Sequence, residues 1–161
     1  MVFDKKEYEI SEDLQNITER EINILDQENT NGESWDYYCR GQIVKAAVLR
    51  DTITGSAREL VEEYEMKVTA DEHQFFSSCT CGSRDKLCKH VISLLYSWIN
   101  DREDFINVGK AVEKLFLMDK GELINIIERI LKKDPSKVKF VKRFDEEDEE
   151  IDADDYLKSF D

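Results

Sequence analysis

Apolar positions in this chain change period several times, and each change marks an element. Leu14, Ile17, Ile24 and Leu25 recur at helical spacing behind Ser11, a good helix cap, so one helix is expected over residues 11–27, closed by Asn29-Thr30-Asn31-Gly32. From Tyr38 to Leu49 the pattern alternates and turns strongly apolar at its far end, which suits a strand buried on both faces there. Residues 51–56, rich in Asp, Thr, Gly and Ser, read as a turn. Leu60, Tyr64, Met66 and Val68 then oppose Glu63, Glu65 and Lys67, the alternation of a half-exposed strand, and Asp71-Glu72 turns the chain into a third strand from His73 to Cys81. Helical spacing returns with Val91, Ile92, Leu95, Trp98 and Ile99. Two more helices follow, one over residues 104–117 and one capped by Asp119, carrying Leu123, Ile126, Ile127, Ile130 and Leu131 and stopped by Pro135. The expected class is α+β: a small antiparallel sheet leading into a helix, flanked by an N-terminal helix and two C-terminal helices.

The chemistry is concentrated where the third strand meets that central helix. Cys79 and Cys81 are one residue apart, and Cys88 and His90 repeat the spacing after a polar turn. Residues two apart on an extended strand share a face, so the first pair can reach one ion. Inside a helix residues two apart diverge by roughly 200°, so Cys88 is expected just before the helix and His90 in its first turn. Three thiolates and an imidazole are the donor set of a closed structural zinc site. Zinc is read from ligand softness, and iron could occupy the same set. Arg84, Lys86 and Lys89 would offset the negative charge of the thiolates. The competing readings are buried cysteines acting as small hydrophobes and a disulfide. The second fits poorly, because residues 1–7 contain no apolar leader core and a reducing compartment is expected. Cys39 reads as a small buried hydrophobe on the first strand. His73 reads as a solvated strand end, and Trp35, Tyr37 and Tyr38 as packing aromatics.

The string Cys79-Thr80-Cys81, six residues, Cys88-Lys89-His90 resembles the SWIM zinc finger, whose pattern is C-x-C, a variable spacer, then C-x-H. Trp35 to Ile43 resembles the aromatic and glycine-bearing approach to the first strand of such proteins, and residues 119–135 resemble their following helix, so the likeness spans roughly residues 20–135. The resemblance implies a ββα zinc module over about residues 37–100 that binds DNA or protein beside chromatin-remodelling ATPases, transposases or recombinase-mediator complexes, with no catalytic residue to carry over. The chain is also similar in size and motif to small SWIM subunits that pair with recombinase-like partners. Those usually have Ala three residues after the ligand His, where this chain has Ser93.

Length and charge refine the picture. The 161 residues, 40% hydrophobic, are expected to form one compact domain over residues 1–143, with residues 144–161 as an acidic disordered tail. The tail holds ten acidic residues against Lys158 alone, so it accounts for most of the net charge of −14. Just before it, Lys132, Lys133, Lys137, Lys139, Lys142 and Arg143 face only Asp134. Two functions follow as expectations. In the first the chain is a non-enzymatic adaptor for a protein partner, a recombinase-like or other DNA-dependent ATPase of DNA repair or recombination, with Tyr156, Leu157 and Phe160 of the tail as a second contact. In the alternative it binds nucleic acid directly through Arg84, Lys86, Lys89 and the 132–143 stripe, with the tail as autoinhibitor. Net acidity favours the first, since nonspecific affinity for phosphates is largely counterion release by clustered cations. Phosphate-loop, dinucleotide-binding and H-E-x-x-H motifs are absent from the sequence, so an enzyme is not expected. The expected location is the cytoplasm, or the nucleus in a eukaryote, and not the exterior.

Overall fold

A computed structural model of the chain describes residues 3–72, 74–83 and 87–141. It divides into two compact units, Met1–Leu117 and Met118–Asp161. The division falls inside the stretch expected to form one domain.

The first unit opens with a short 3-10 turn, Lys5–Tyr8, and three helices: α1 (Glu12–Gln15), α2 (Glu19–Thr30) and α3 (Glu33–Cys39). The single helix expected over 11–27 is thus two. Ser11 caps the first, but Thr18 restarts the chain with a capping box in which its side chain meets the Glu21 N–H and Glu21 reaches back to the Thr18 N–H. The second correction concerns Tyr38 and Cys39, expected to begin the first strand, which instead end a helix. Gly32, at φ 86°, offers no side-chain cap for α3, and Asp26 of the preceding helix supplies one. Its carboxylate accepts the N–H groups of Ser34 and Trp35, both at 3.1 Å, the Tyr96 hydroxyl at 3.0 Å and the Thr30 hydroxyl. Burial alone would raise this carboxyl, but the donors from Thr30, Ser34 and Tyr96 outweigh it and hold Asp26 below the usual carboxylate value. Cys39, at the end of α3, is exposed rather than buried.

Five strands follow in the spatial order β4-β3-β2-β1-β5: β1 (Ile43–Leu49), β2 (Thr52–Arg58), β3 (Glu63–Asp71), β4 (Gln74–Cys79) and β5 (Ile106–Asn107). Residues 52–58 are therefore a central strand and not a turn. Only Arg50 and Asp51 lie between β1 and β2, with Arg50 at φ 58°. Neighbours in the β4-β3-β2-β1 set run antiparallel, while β5 pairs parallel with β1, Ala47 opposite Ile106 and Val48 opposite Asn107. The alternation in β3 is as expected: Met66, Val68 and Ala70 are buried and Glu65, Lys67 and Asp71 exposed. The pattern over 104–117 resolves into a 3-10 turn, β5 and helix α5 (Val108–Phe116), whose cap is Asn107.

Helix α4 (Lys89–Asn100) is the centre of this unit. Every residue from His90 to Trp98 is buried, because the sheet covers one side of the helix and α2 and α3 the other. Gly55 in β2 permits the approach, since a methyl there would lie 2.8 Å from Leu94 Cδ1. Three buried side chains on α4 reach polar partners in the other layers. Trp98 Nε1 donates to Leu14 O at 2.9 Å, Tyr96 reaches Asn23 as well as Asp26, and the Ser93 hydroxyl lies within hydrogen-bond distance of Ser34 O and Lys89 O. Small size is what this position needs, and Ser93 supplies it together with a tether to α3.

The second unit contains helix α6 (Lys120–Lys133), opened by a capping box between Asp119 and Glu122, and a 3-10 helix, Pro135–Phe140. Pro135 ends α6 as expected. Among the described residues no helix is long and apolar enough to cross a membrane.

Candidate metal centre

Strand β4 delivers the first two donors. Its alternation places Phe75, Ser77 and Cys79 on the inner, half-buried side, and the chain beyond Cys79 stays tied to β3: Thr80 N–H donates to Glu65 O at 3.0 Å, and Glu65 N–H donates to the Thr80 hydroxyl at 2.9 Å. Cys81 therefore leaves the strand in a turn completed by Gly82 at φ 71°, a left-handed conformation that glycine adopts without strain. Its sulfur accepts the N–H of Ser83 at 3.5 Å. Strand β4 stops at Cys79, two residues short of the expected end, and the turn does the rest of the positioning.

Helix α4 delivers the other two. Cys88 is its N-cap, with φ −78° and ψ 166°, and His90 is the second residue of its first turn, as the spacing required. Both are buried. The donor atoms of Cys79, Cys81, Cys88 and His90 all lie within 4.8 Å of one another. His90 Nδ1 is 3.7 Å from Cys79 Sγ and 3.9 Å from Cys88 Sγ. A tetrahedron with zinc–sulfur bonds of about 2.3 Å and zinc–nitrogen bonds of about 2.0–2.1 Å separates neighbouring donors by about 3.5–3.8 Å. The donor set and its spacing fit one zinc ion, with all four positions filled from the protein.

A residue that the sequence pattern did not single out orients the imidazole. His90 Nε2 lies 3.1 Å from Glu59 Oε1. A carboxylate only accepts, so the proton sits on Nε2, and the lone pair of Nδ1 points at the sulfurs. The His90 imidazole and then the Lys89 ammonium hold the Glu59 carboxyl below its ordinary value, and Lys89 Nζ is 3.6 Å from Glu59 Oε1. Tyr37 and Tyr64 flank the ring at 5.1 and 4.9 Å between centroids. Replacing Glu59 with Ala should lower zinc affinity roughly 10–100-fold, the usual effect of losing such an orienting partner, with little change in the melting of fully loaded protein. Competition with a chromophoric chelator measures it, and an unchanged affinity would deny Glu59 this role.

The thiols differ in their protonation. Burial, with its neighbours, pushes Cys79 up to about 12 and also raises Cys88. Burial would raise Cys81 too, but the Ser83 N–H and the neighbouring thiols bring it below the usual thiol value. A divalent cation among the three sulfurs would displace their protons.

Several of the cations expected to contact nucleic acid have partners of their own within their units. Lys89 is engaged with Glu59 and lies over the Tyr37 ring at 5.1 Å. Lys132 pairs with Glu128 at 2.6 Å and Lys137 with Asp134 at 3.5 Å, while Lys137 and Lys139 flank the Phe140 ring. Lys133 closes α6. Arg84, Lys86, Lys142 and Arg143, with Tyr156, Leu157 and Phe160, lie outside the described residues, as does His73.

Comparison with curated proteins and with solved structures finds no match. Residues 64–99 match the SWIM zinc finger family. That span is β3, β4 and α4, the ββα arrangement whose donors have just been described, and one Cys/His cluster within it could hold a single zinc ion. The chain therefore carries a SWIM zinc finger, a metal-binding module, over residues 64–99.

Proposed function

We propose that this chain is a non-catalytic adaptor in which one structural zinc, held by Cys79, Cys81, Cys88 and His90, fixes a surface that docks a protein partner in a DNA transaction. The observation that carries this reading is the turn between β2 and β3. Glu59 N–H donates to Glu62 O at 2.8 Å, and at the tip Leu60 and Val61 are 105% and 95% exposed. A single exposed aliphatic residue needs no explanation, but two adjacent ones stand on a turn anchored through Glu59 to the ligand His90. Covering them would return about 1.5–3 kcal/mol of apolar burial each.

Three further points support the reading. A closed set of four protein donors leaves the metal no open position for substrate. The net charge of −14 disfavours phosphate binding by counterion release. The resemblance to SWIM proteins makes a recombinase-like or other DNA-dependent ATPase the class of partner. Direct nucleic-acid binding through Lys89 and the 132–143 stripe is the competing function.

The test uses full-length chain, wild type and the double variant Leu60→Asp/Val61→Asp. Both should hold equal zinc and melt together, and immobilised wild type should retain an ATPase from extract that the variant loses. DNA titrated against either protein should show no binding even at low salt. A steep salt-dependent affinity for DNA that survives the double substitution would replace the adaptor with the competing function.

A further inference from the structure

Helix α6 carries an apolar face that the described residues of its own unit leave open. With about 100° of rotation per residue, Leu123, Ile124, Ile126, Ile127, Ile130 and Leu131 fall within an arc of about 160°. No residue of α6 is buried, and Ile124, Ile127 and Ile130 are 52%, 44% and 50% exposed. Six aliphatic residues on one side of a 14-residue helix exceed what a solvated helix carries by chance, so the face needs an occupant.

The polar residues on the rim say which one. Glu122 near the start and Lys133 at the end of α6 fall on the same flank of the apolar arc, about 20° apart. When two copies of a helix pack antiparallel about a twofold axis, each flank meets the same flank of the other copy in reverse order. A centre between Ile127 and Glu128 then sets Glu122 opposite Lys133 of the second copy, twice over by symmetry. The same centre sets Ile124 opposite Leu131, also twice. One charged pair and one aliphatic pair thus fit this register together. Antiparallel helix dipoles favour the same arrangement. Among the described residues no ion pair engages Lys133, whereas Lys132, one position away, is satisfied within its own helix by Glu128.

We infer that α6 is a self-association surface, pairing two copies of this chain as an antiparallel helix pair centred at Ile127 and Glu128. Some 20 Å of helix on each side covers on the order of 800–1,000 Å² in total, at the lower limit for a specific interface, so the pairing is weak.

Sedimentation equilibrium of the zinc-loaded full chain from about 1 to about 500 µM should show the mass rising from one chain to two. Lys133→Glu should weaken association about tenfold, and so should Glu122→Lys, for each places like charges opposite one another at both ends. Because Glu122 also closes the capping box, far-ultraviolet circular dichroism would track any loss of helix in that variant. The decisive protein is the double swap, Glu122→Lys with Lys133→Glu, which should recover the wild-type association constant although it repairs no cap. A mass that stays at one chain throughout the range overturns the inference, as does a double swap no tighter than the single variants. Ile127→Asp should abolish the mass change. If it instead lowers the melting temperature with no effect on mass, the face is covered within its own chain and the inference fails.

Discussion

Serine in place of Cys88 should leave the protein without zinc and without an ordered β4 or α4. Cys88 is at once a donor and the cap residue of a helix whose next-but-one residue is the imidazole ligand, so the substitution removes a bond to metal at the point where helix and sheet are joined. Structural zinc contributes apparent binding energies of about 10–16 kcal/mol in finger peptides, against about 5–15 kcal/mol for the net stability of a whole domain. Nothing else at this junction is of comparable size. Because α4 is buried along nine consecutive residues and forms the floor of the core, its loss should not stay local: the whole first unit is expected to melt with it. Elemental analysis and near-ultraviolet circular dichroism check this together. Cys81→Ser should behave alike, and stripping wild type with a strong chelator should reproduce both. A Cys88→Ser protein that melts at the wild-type temperature would remove the metal from the account of the fold.

Asp26→Ala is expected to cost about 3–4 kcal/mol, without touching the metal. Four donors converge on this carboxylate from three elements, and Ala leaves the N–H groups of Ser34 and Trp35 without their acceptor, at about 1–3 kcal/mol for each group left unsatisfied, while the Tyr96 hydroxyl keeps Asn23. Relaxation and water will recover part of that total. Asp26→Asn keeps the shape but turns an amide N–H₂ toward donors, and chemical denaturation should place it between wild type and Ala. The dependence on pH has a definite sign. The folded carboxyl lies below its ordinary value of about 3.9, so its contribution is complete above that value and disappears as pH falls through the folded one. The gap between wild type and Asp26→Asn, compared at equal zinc loading, should be flat from pH 8 to about 5 and begin to close as pH approaches 4. A gap that widens toward acid would mean the carboxyl is not held down by its donors.

Much of the metal module was legible in the chain because its chemistry is local. Cys79, Cys81, Cys88 and His90 lie within twelve residues, and the rule that residues two apart cannot share a helical face was enough to put Cys88 at the cap and His90 inside the helix. The misses share a different cause, which is that distant groups settled the outcome. Tyr38 and Cys39 fall in the alternation read as the first strand, but they end a helix that Asp26, eight residues before Ser34, caps. Residues 52–58 have turn composition, yet they become a central strand because they pair along their length with β1 on one side and β3 on the other. The break between α1 and α2 was written in Thr18 and Glu21, but apolar spacing ran unbroken across it. Glu59 left no trace in the pattern at all, for it reaches His90 across the fold from 31 positions away.

The parallel pairing of β5 with β1 bears on the order in which the molecule assembles. Strands β3 and β4 and helix α4 are consecutive, so the finger can close on its ion through contacts of short sequence separation, the kind that form early. Ala47 and Ile106, by contrast, meet only after the chain has passed through that entire segment. The sheet's second edge therefore cannot close until Ile106 has left the ribosome, by which point all four donors of the finger have already emerged.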